Sequence, residues 1–275
     1  MSWDNIWWTI MVCISAVNLI LAWLMFAKSM KMNQAEPENS RYFLLLRIMG
    51  VVFVSVAMYR SIFVSSYPDR LTWFDTIFNS PFVVRCLATF AELAFIGMIS
   101  AVLLKLCKDI GLKDSNVKFK SLLIKTPYIA IGCIFIAQPL AFLGLTTQYT
   151  TLFAIEEAFW ALAFISITPL VFYALKRDGI KAGYKLFLTV MAVWCTGYLI
   201  FQCFFALPFM YFTDMAQDIG RVIPQNSLRT AIFDYNVTRD FDTWGGIGFI
   251  IWHSGYFSLC SWMSLLFMSA PRKHK

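Results

Sequence analysis

The residues able to do chemistry are ionisable side chains set inside long apolar runs. Arg85 and Glu92 stand seven residues apart with Thr89 between them, which places all three on one stripe of an α-helix. Arg60, His253 and the adjacent Glu156 and Glu157 also interrupt apolar sequence, and Tyr198 and Gln202 are spaced to share a helix face. As immediate neighbours, Glu156 and Glu157 point about 100° apart and cannot serve one partner. His253 lies roughly 12 Å into its run at about 1.5 Å per residue from Gly245. An ionised group in hydrocarbon costs about 2.5–3.5 kcal/mol on insertion scales, so each demands a polar lining or a buried partner. Two uses stay open. In a hydrated pocket, Glu92, His253 and one of the paired glutamates would respond to ions or protons, with Arg60 and Arg85 holding an anion or acting as counter-charges. In a structural role, outer-end charges would only reach the interface or bind neighbouring helices.

Several chemistries are excluded by what is missing. The only histidines are His253 and His274, too few for a three-histidine zinc site, and haem held by paired histidines inside the bundle is likewise ruled out. No metal and no cofactor are expected. Ser254 follows His253 directly, so the two point apart on a helix and form no nucleophile–base pair. The last apolar run holds no lysine for a retinal Schiff base. Rhodopsin-like receptors carry an acidic-Arg-aromatic triplet at the inner end of their third span; here that place reads Leu106-Cys107-Lys108. Gly245-Gly246-Ile247-Gly248 opens an apolar run; no strands are expected, so it is no phosphate loop. Cys13, Cys86, Cys107, Cys133, Cys195, Cys203 and Cys260 lie within the runs or at their edges, and disulfides are not expected.

Membrane spans must position these groups. The 275 residues are 59% hydrophobic and only 14% charged, against about 25% charged in ordinary globular chains, and mean hydropathy is +0.66. Disordered, collagen-like and disulfide-stapled secreted classes are excluded. Apolar runs cover 6–27, 42–64, 83–106, 126–145, 151–175, 184–207 and 245–268, each matching the roughly 20 residues needed to cross about 30 Å of hydrocarbon. The expected fold is an all-α integral membrane protein, a seven-transmembrane-helix bundle forming one polytopic domain over 1–275. Residues 209–244 hold five aspartates and three arginines and are read as an outer loop.

Lysine and arginine alternate between loops. Lys28, Lys31 and Arg41 follow the first run; Lys108, Lys113, Lys118, Lys120 and Lys125 follow the third. Lys176, Arg177, Lys181 and Lys185 follow the fifth, and Arg272, Lys273 and Lys275 close the chain. The pattern puts the N-terminus outside and the C-terminus in the cytoplasm. Asn236-Val237-Thr238 is a glycosylation sequon in the loop that falls outside. The tail Arg272-Lys273-His274-Lys275 resembles a dibasic retrieval signal and also reads as a positive-inside anchor. No cleavable signal peptide is expected, because no basic region precedes Ile6. Trp3, Trp7, Trp8, Trp73 and Trp244 read as an interfacial aromatic belt. Pro139, Pro169 and Pro208 permit kinks.

Asn18, Gln138, Tyr198 and Gln202 repeat a bias of polar residues toward the outer halves of the runs, which predicts an outward-facing pocket. The reading is a multi-pass membrane protein, transporter-like or receptor-like for a small solute or ion. A noncatalytic subunit or scaffold of a larger complex stands as the alternative. A third is an intramembrane enzyme with Glu92 and His253 as acid and base. No inverted repeat relates the halves. Expected partners are the lipid bilayer, other membrane subunits and a small solute or ion. The net charge of +7 is accounted for by topology rather than by nucleic acid. Residence is the endoplasmic reticulum or plasma membrane in a eukaryote and the inner membrane in a bacterium.

Overall fold

A chain segment that is apolar on every side has one stable form in hydrocarbon, the helix that satisfies its own backbone hydrogen bonds. The computed structural model describes residues 3–32, 39–116, 118–177, 179–180, 182–223 and 227–269. These residues form α1 (Trp3–Met32), α2 (Ser40–Ile62), α3 (Pro81–Asp109), α4 (Lys120–Thr147), α5 (Thr150–Leu175), α6 (Ala182–Phe201), α7 (Ser227–Phe233) and α8 (Gly246–Met268). Six stretches are long and apolar enough to cross a membrane: Asp4–Lys28 within α1, then α2, α3, α4, α5, and Ala182–Phe212. The protein is therefore an all-α, multi-pass integral membrane protein. Its helices present Phe90, Phe135, Val193 and Phe204 to the surroundings at 64–69% exposure, surface that acyl chains cover without penalty.

The seventh expected span corresponds to α8, which at 23 residues equals α2 in length. His253, Ser254, Ser258, Ser261 and Ser264 dilute its hydropathy, and it is not among the six. The sixth run extends beyond its expected end at 207: after Phe201 the chain continues as a π-helix over Gln202–Phe212. Pro208 lies inside that segment, and the wider winding carries the chain past a residue with no N–H to donate. The expected loop at 209–244 therefore begins inside a helix. The basic tail 272–275, Lys181, Val117 and the side chains of Trp3 and Lys31 lie outside the described residues.

The chain groups into two compact units, one from Met1–Phe95, Phe142–Tyr149 and Arg221–Met268, the other from Ile96–Ala141, Thr150–Gly220 and Ser269–Lys275. In the first, α1, α2 and α8 pack together. Ser15 and Ser61 hydroxyls bond at 2.7 Å, and the Phe53 ring meets Phe95 at 5.0 Å. Short strands β1 (Ser65–Ser66), β2 (Leu71–Thr72) and β3 (Asn236–Val237) make a small sheet. β1 runs antiparallel to β2, with Ser66 opposite Leu71, and β2 parallel to β3, with Leu71 opposite Asn236. Strands were not expected, because two-residue segments show no alternation to read.

Trp73 and Trp244, rather than joining an interfacial belt, are buried with Val64 and Leu71, and Trp7, Trp8 and Phe249 pack on them. The sheet causes this: Trp73 follows β2 directly and donates its N–H to Val64 at 3.0 Å, while Asn79 Nδ2 donates to the same carbonyl at 2.7 Å. Arg70 takes φ +48 and donates to the Leu145 and Thr146 carbonyls at the end of α4.

In the second unit, Asp218 accepts from the Thr150 and Thr151 N–H groups and the Thr151 hydroxyl at 2.6–3.0 Å. A carboxylate thereby caps the otherwise orphaned donors at the start of α5. Lys105 pairs with Asp109 at 3.0 Å, and Asp109 also accepts from the Tyr184 hydroxyl at 2.8 Å. Ser100 donates to the Pro127 carbonyl at 3.0 Å, one of two prolines inside α4.

Candidate functional site

The eight residues singled out by sequence fall four to each unit. Arg60, Arg85, Glu92 and His253 belong to the first; Glu156, Glu157, Tyr198 and Gln202 belong to the second.

The first set grows from three helices and a turn. Arg85 and Glu92, two turns apart on α3, reach each other by extending along the helix: Arg85 Nη1 donates to Glu92 Oε1 at 3.1 Å and Nη2 to Oε2 at 3.0 Å. Their side chains are only 2% and 7% exposed. A bidentate guanidinium–carboxylate pair is the geometry in which such burial is tolerated. Thr89, midway on the stripe, donates to the Arg85 carbonyl at 3.2 Å.

Arg60 is placed differently. It occupies the last turn of α2 and is 4% exposed. Its guanidinium carbon lies 4.9 Å from the Phe257 ring centre, 5.4 Å from Tyr256 and 5.5 Å from Tyr67. Among the described residues no side chain or carbonyl forms a hydrogen bond or ion pair with it; aromatic rings alone hold it. Cation–π attraction contributes roughly 0.5–2 kcal/mol per ring, and the α2 C-terminus adds about half an elementary charge of favourable potential. Neither satisfies the five N–H donors of the guanidinium.

His253 and Tyr256 lie on the same face of α8 as Phe257, at spacings of three and four residues. His253 is 2% exposed, with Phe257 at 4.3 Å, Phe249 at 5.1 Å and Trp7 at 5.3 Å. Its Nε2 and the Tyr256 hydroxyl are both buried without a hydrogen-bond partner. His253 is within electrostatic reach of Arg60, and Tyr256 within reach of Arg60, Glu92 and Tyr67. Arg85 stacks on the other partner in this group, its guanidinium 5.6 Å from the Tyr67 ring. Tyr67 stands in the turn after β1, so the small sheet positions it.

Summed over the cluster with His253 neutral, the formal charge is +1: two guanidiniums against one carboxylate. Tyr67, Tyr256 and Phe257 were not picked out by sequence. The α8 pair was detectable from its three- and four-residue spacing to His253, whereas nothing local links Tyr67 to Arg60.

In the second unit, Glu157 accepts from Gln202 Nε2 at 2.7 Å and from the Tyr211 hydroxyl at 3.5 Å. Both donors sit on the π-helical segment. Glu156 points elsewhere, as adjacent helical positions require, and is buried. Tyr198 packs on Phe164 at 4.6 Å and stacks with Trp194. Among the described residues no three His, Cys, Asp or Glu side chains are placed to share a metal ion.

Outside the spans, Asn236 is exposed in β3, and its backbone N–H donates to Arg70 at 2.9 Å. Burial lowers the Arg70 pKa, with Asp234 opposing the shift. Asp240 is held below the usual carboxylate range by the Thr243 hydroxyl and N–H.

No protein-family model, curated protein or solved structure matches the chain.

Proposed function

We propose that the chain is a seven-span membrane protein with its N-terminus outside and its C-terminus in the cytoplasm. On this reading it binds a small solute or ion in an outward-facing polar pocket and acts as a transporter or receptor. The observation that carries the reading is the convergence of α2, α3 and α8 on unpaired polar atoms. The Arg60 guanidinium has no hydrogen-bond partner among the described residues and belongs to a side chain only 4% exposed, while His253 Nε2 and the Tyr256 hydroxyl are buried without a partner. A buried polar group left without a partner costs about 1–3 kcal/mol and more for an ion, so a protein built only for packing would not collect three. Counting α8 as the seventh span is supported by its length and by its packing along α1 and α2. Its serines and histidine then serve the pocket rather than mark a break in the span.

Glu157 and Gln202, with Tyr211, form a second polar set in which Glu157 is the ion- or proton-responsive group, while Glu156 and Tyr198 face other neighbours. The noncatalytic-subunit reading draws on a different observation, the neutralisation of Glu92 by Arg85 within one helix, which needs no ligand.

The test is thiol labelling of Tyr256→Cys in a background with the seven native cysteines replaced by serine, in sealed vesicles of known orientation. Blocking of the thiol by silver ion added to the outer side in chloride-free buffer, read as loss of maleimide labelling after denaturation, supports the pocket and the orientation. Blocking only from the inner side reverses the topology. No blocking from either side, with the denatured protein labelling fully, removes the pocket.

A further inference from the structure

We infer that the pocket ligand is a compact monovalent anion, chloride being the representative, held in the plane of the Arg60 guanidinium. This names the ligand class for the pocket proposed above and rests on that reading.

Arg85 and Glu92 cancel through two hydrogen bonds, leaving Arg60 as the net charge of the cluster. An isolated buried cation is among the most costly arrangements in a folded chain. The partial charge of the α2 C-terminus offsets only about half of it, and ring faces supply attraction but accept no hydrogen bond in the guanidinium plane. One negative charge is missing.

Direction follows from the donors. Tyr67, Tyr256 and Phe257 lie 4.9–5.5 Å from the guanidinium carbon and accept no hydrogen bond in its plane, where the N–H groups point without acceptors among the described residues. Two more groups suit an anion. The Tyr256 hydroxyl, buried and unbonded, is a donor. His253 Nε2, also unbonded, donates in the tautomer that carries its proton there.

Size follows from burial. Arg60 is 4% exposed and His253 2% exposed, so a ligand that leaves the packing around them closed consists of one or a few atoms, which excludes a sugar acid or a nucleotide. With Arg85 and Glu92 neutralising each other, one negative charge balances Arg60, and a divalent anion would leave a buried excess.

The experiment uses the full-length protein in lipid nanodiscs, titrated with sodium chloride against sodium gluconate at constant ionic strength, with the thermal unfolding midpoint as readout. Chloride is expected to raise the midpoint saturably, and gluconate, too bulky to enter, to leave it unchanged. Arg60→Gln is expected to abolish the chloride response, and Tyr256→Phe to weaken the apparent affinity about tenfold. If Arg60→Gln does not fold, the chloride–gluconate contrast in the unaltered protein decides, with Arg60→Lys expected to bind at least tenfold more weakly.

Equal responses to the two salts, or a chloride response that survives Arg60→Gln, overturn the inference. The outcomes separate the two proposals. Equal salt responses together with outer blocking at position 256 remove the anion and keep the pocket. A chloride response without blocking from either side keeps the anion as a sealed structural ion and removes the pocket.

Discussion

Replacing Glu92 by Met strips the only carboxylate from a buried cluster and leaves Arg85 without its counter-charge. The wild-type pair makes two charge-assisted bonds at 3.1 and 3.0 Å, with side chains 2% and 7% exposed. Breaking such a pair from one side costs about 3–5 kcal/mol, because the surviving ion stays desolvated; replacing both members by apolar residues of similar volume is about neutral or stabilising by up to ~4 kcal/mol. Glu92→Met should therefore lose about 3–5 kcal/mol, and Arg85→Met a similar amount. The double variant should fall within about 1 kcal/mol of the unaltered protein or above it. Equilibrium unfolding in mixed micelles with rising dodecyl sulfate, followed by tryptophan fluorescence, gives all four corners of the cycle. A double variant as unstable as the sum of the two singles refutes the coupling, since the carboxylate and guanidinium would then act on separate partners.

Asp218→Ala should cost about 1 kcal/mol and speed hydrogen exchange at the Thr150 and Thr151 amides that Asp218 now holds; unchanged exchange would place the cap elsewhere. Arg70→Ala removes donors from the Leu145 and Thr146 carbonyls and should cost about 2 kcal/mol, in line with hydrogen bonds to charged groups, with proteolysis near Gln148 as the measure. The pKa of Asp240 is depressed by Thr243, so its turn gains stability above the ordinary carboxylate pKa and loses it as pH falls through the lowered value. Exchange of the Thr243 amide should rise only on that acid side, and Thr243→Val should move the transition to higher pH. In a eukaryotic host, Asn236→Gln should abolish an endoglycosidase-sensitive mobility shift; a shift that persists places the sugar at another residue.

The helices were legible because hydrocarbon imposes a length and forbids charge, and both constraints are written in consecutive residues. Several of their ends lie a few residues beyond the apolar runs, α4 starting at Lys120 and α1 reaching Met32, because a helix continues past the hydrocarbon; at Pro208 π winding carries the sixth run to Phe212. The Arg85–Glu92 pairing was legible too, since a seven-residue spacing on one helix requires no other element. The Arg60 cage was half legible: Tyr256 and Phe257 share a face with His253 by spacing alone, but Tyr67 reaches Arg60 only through the β1–β2 turn. That turn is set by two-residue strands and by β3, more than 160 residues later in the chain. The same long-range pairing buried Trp73 and Trp244, which a local reading places at the membrane surface. Asp218 illustrates the limit again, for a capping carboxylate 68 residues from the amide it serves leaves no local pattern. The division of the eight polar residues between two compact units was equally invisible, because periodicity assigns a residue to a face but not to a neighbour.

The most direct measurement is anomalous scattering from the protein crystallised in lipid with bromide in place of chloride. A bromide peak is expected within hydrogen-bonding reach of the Arg60 guanidinium, with the Tyr256 hydroxyl as a further donor. A guanidinium bonded to a carbonyl or carboxylate of the chain, with no anomalous density beside it, would contradict the account.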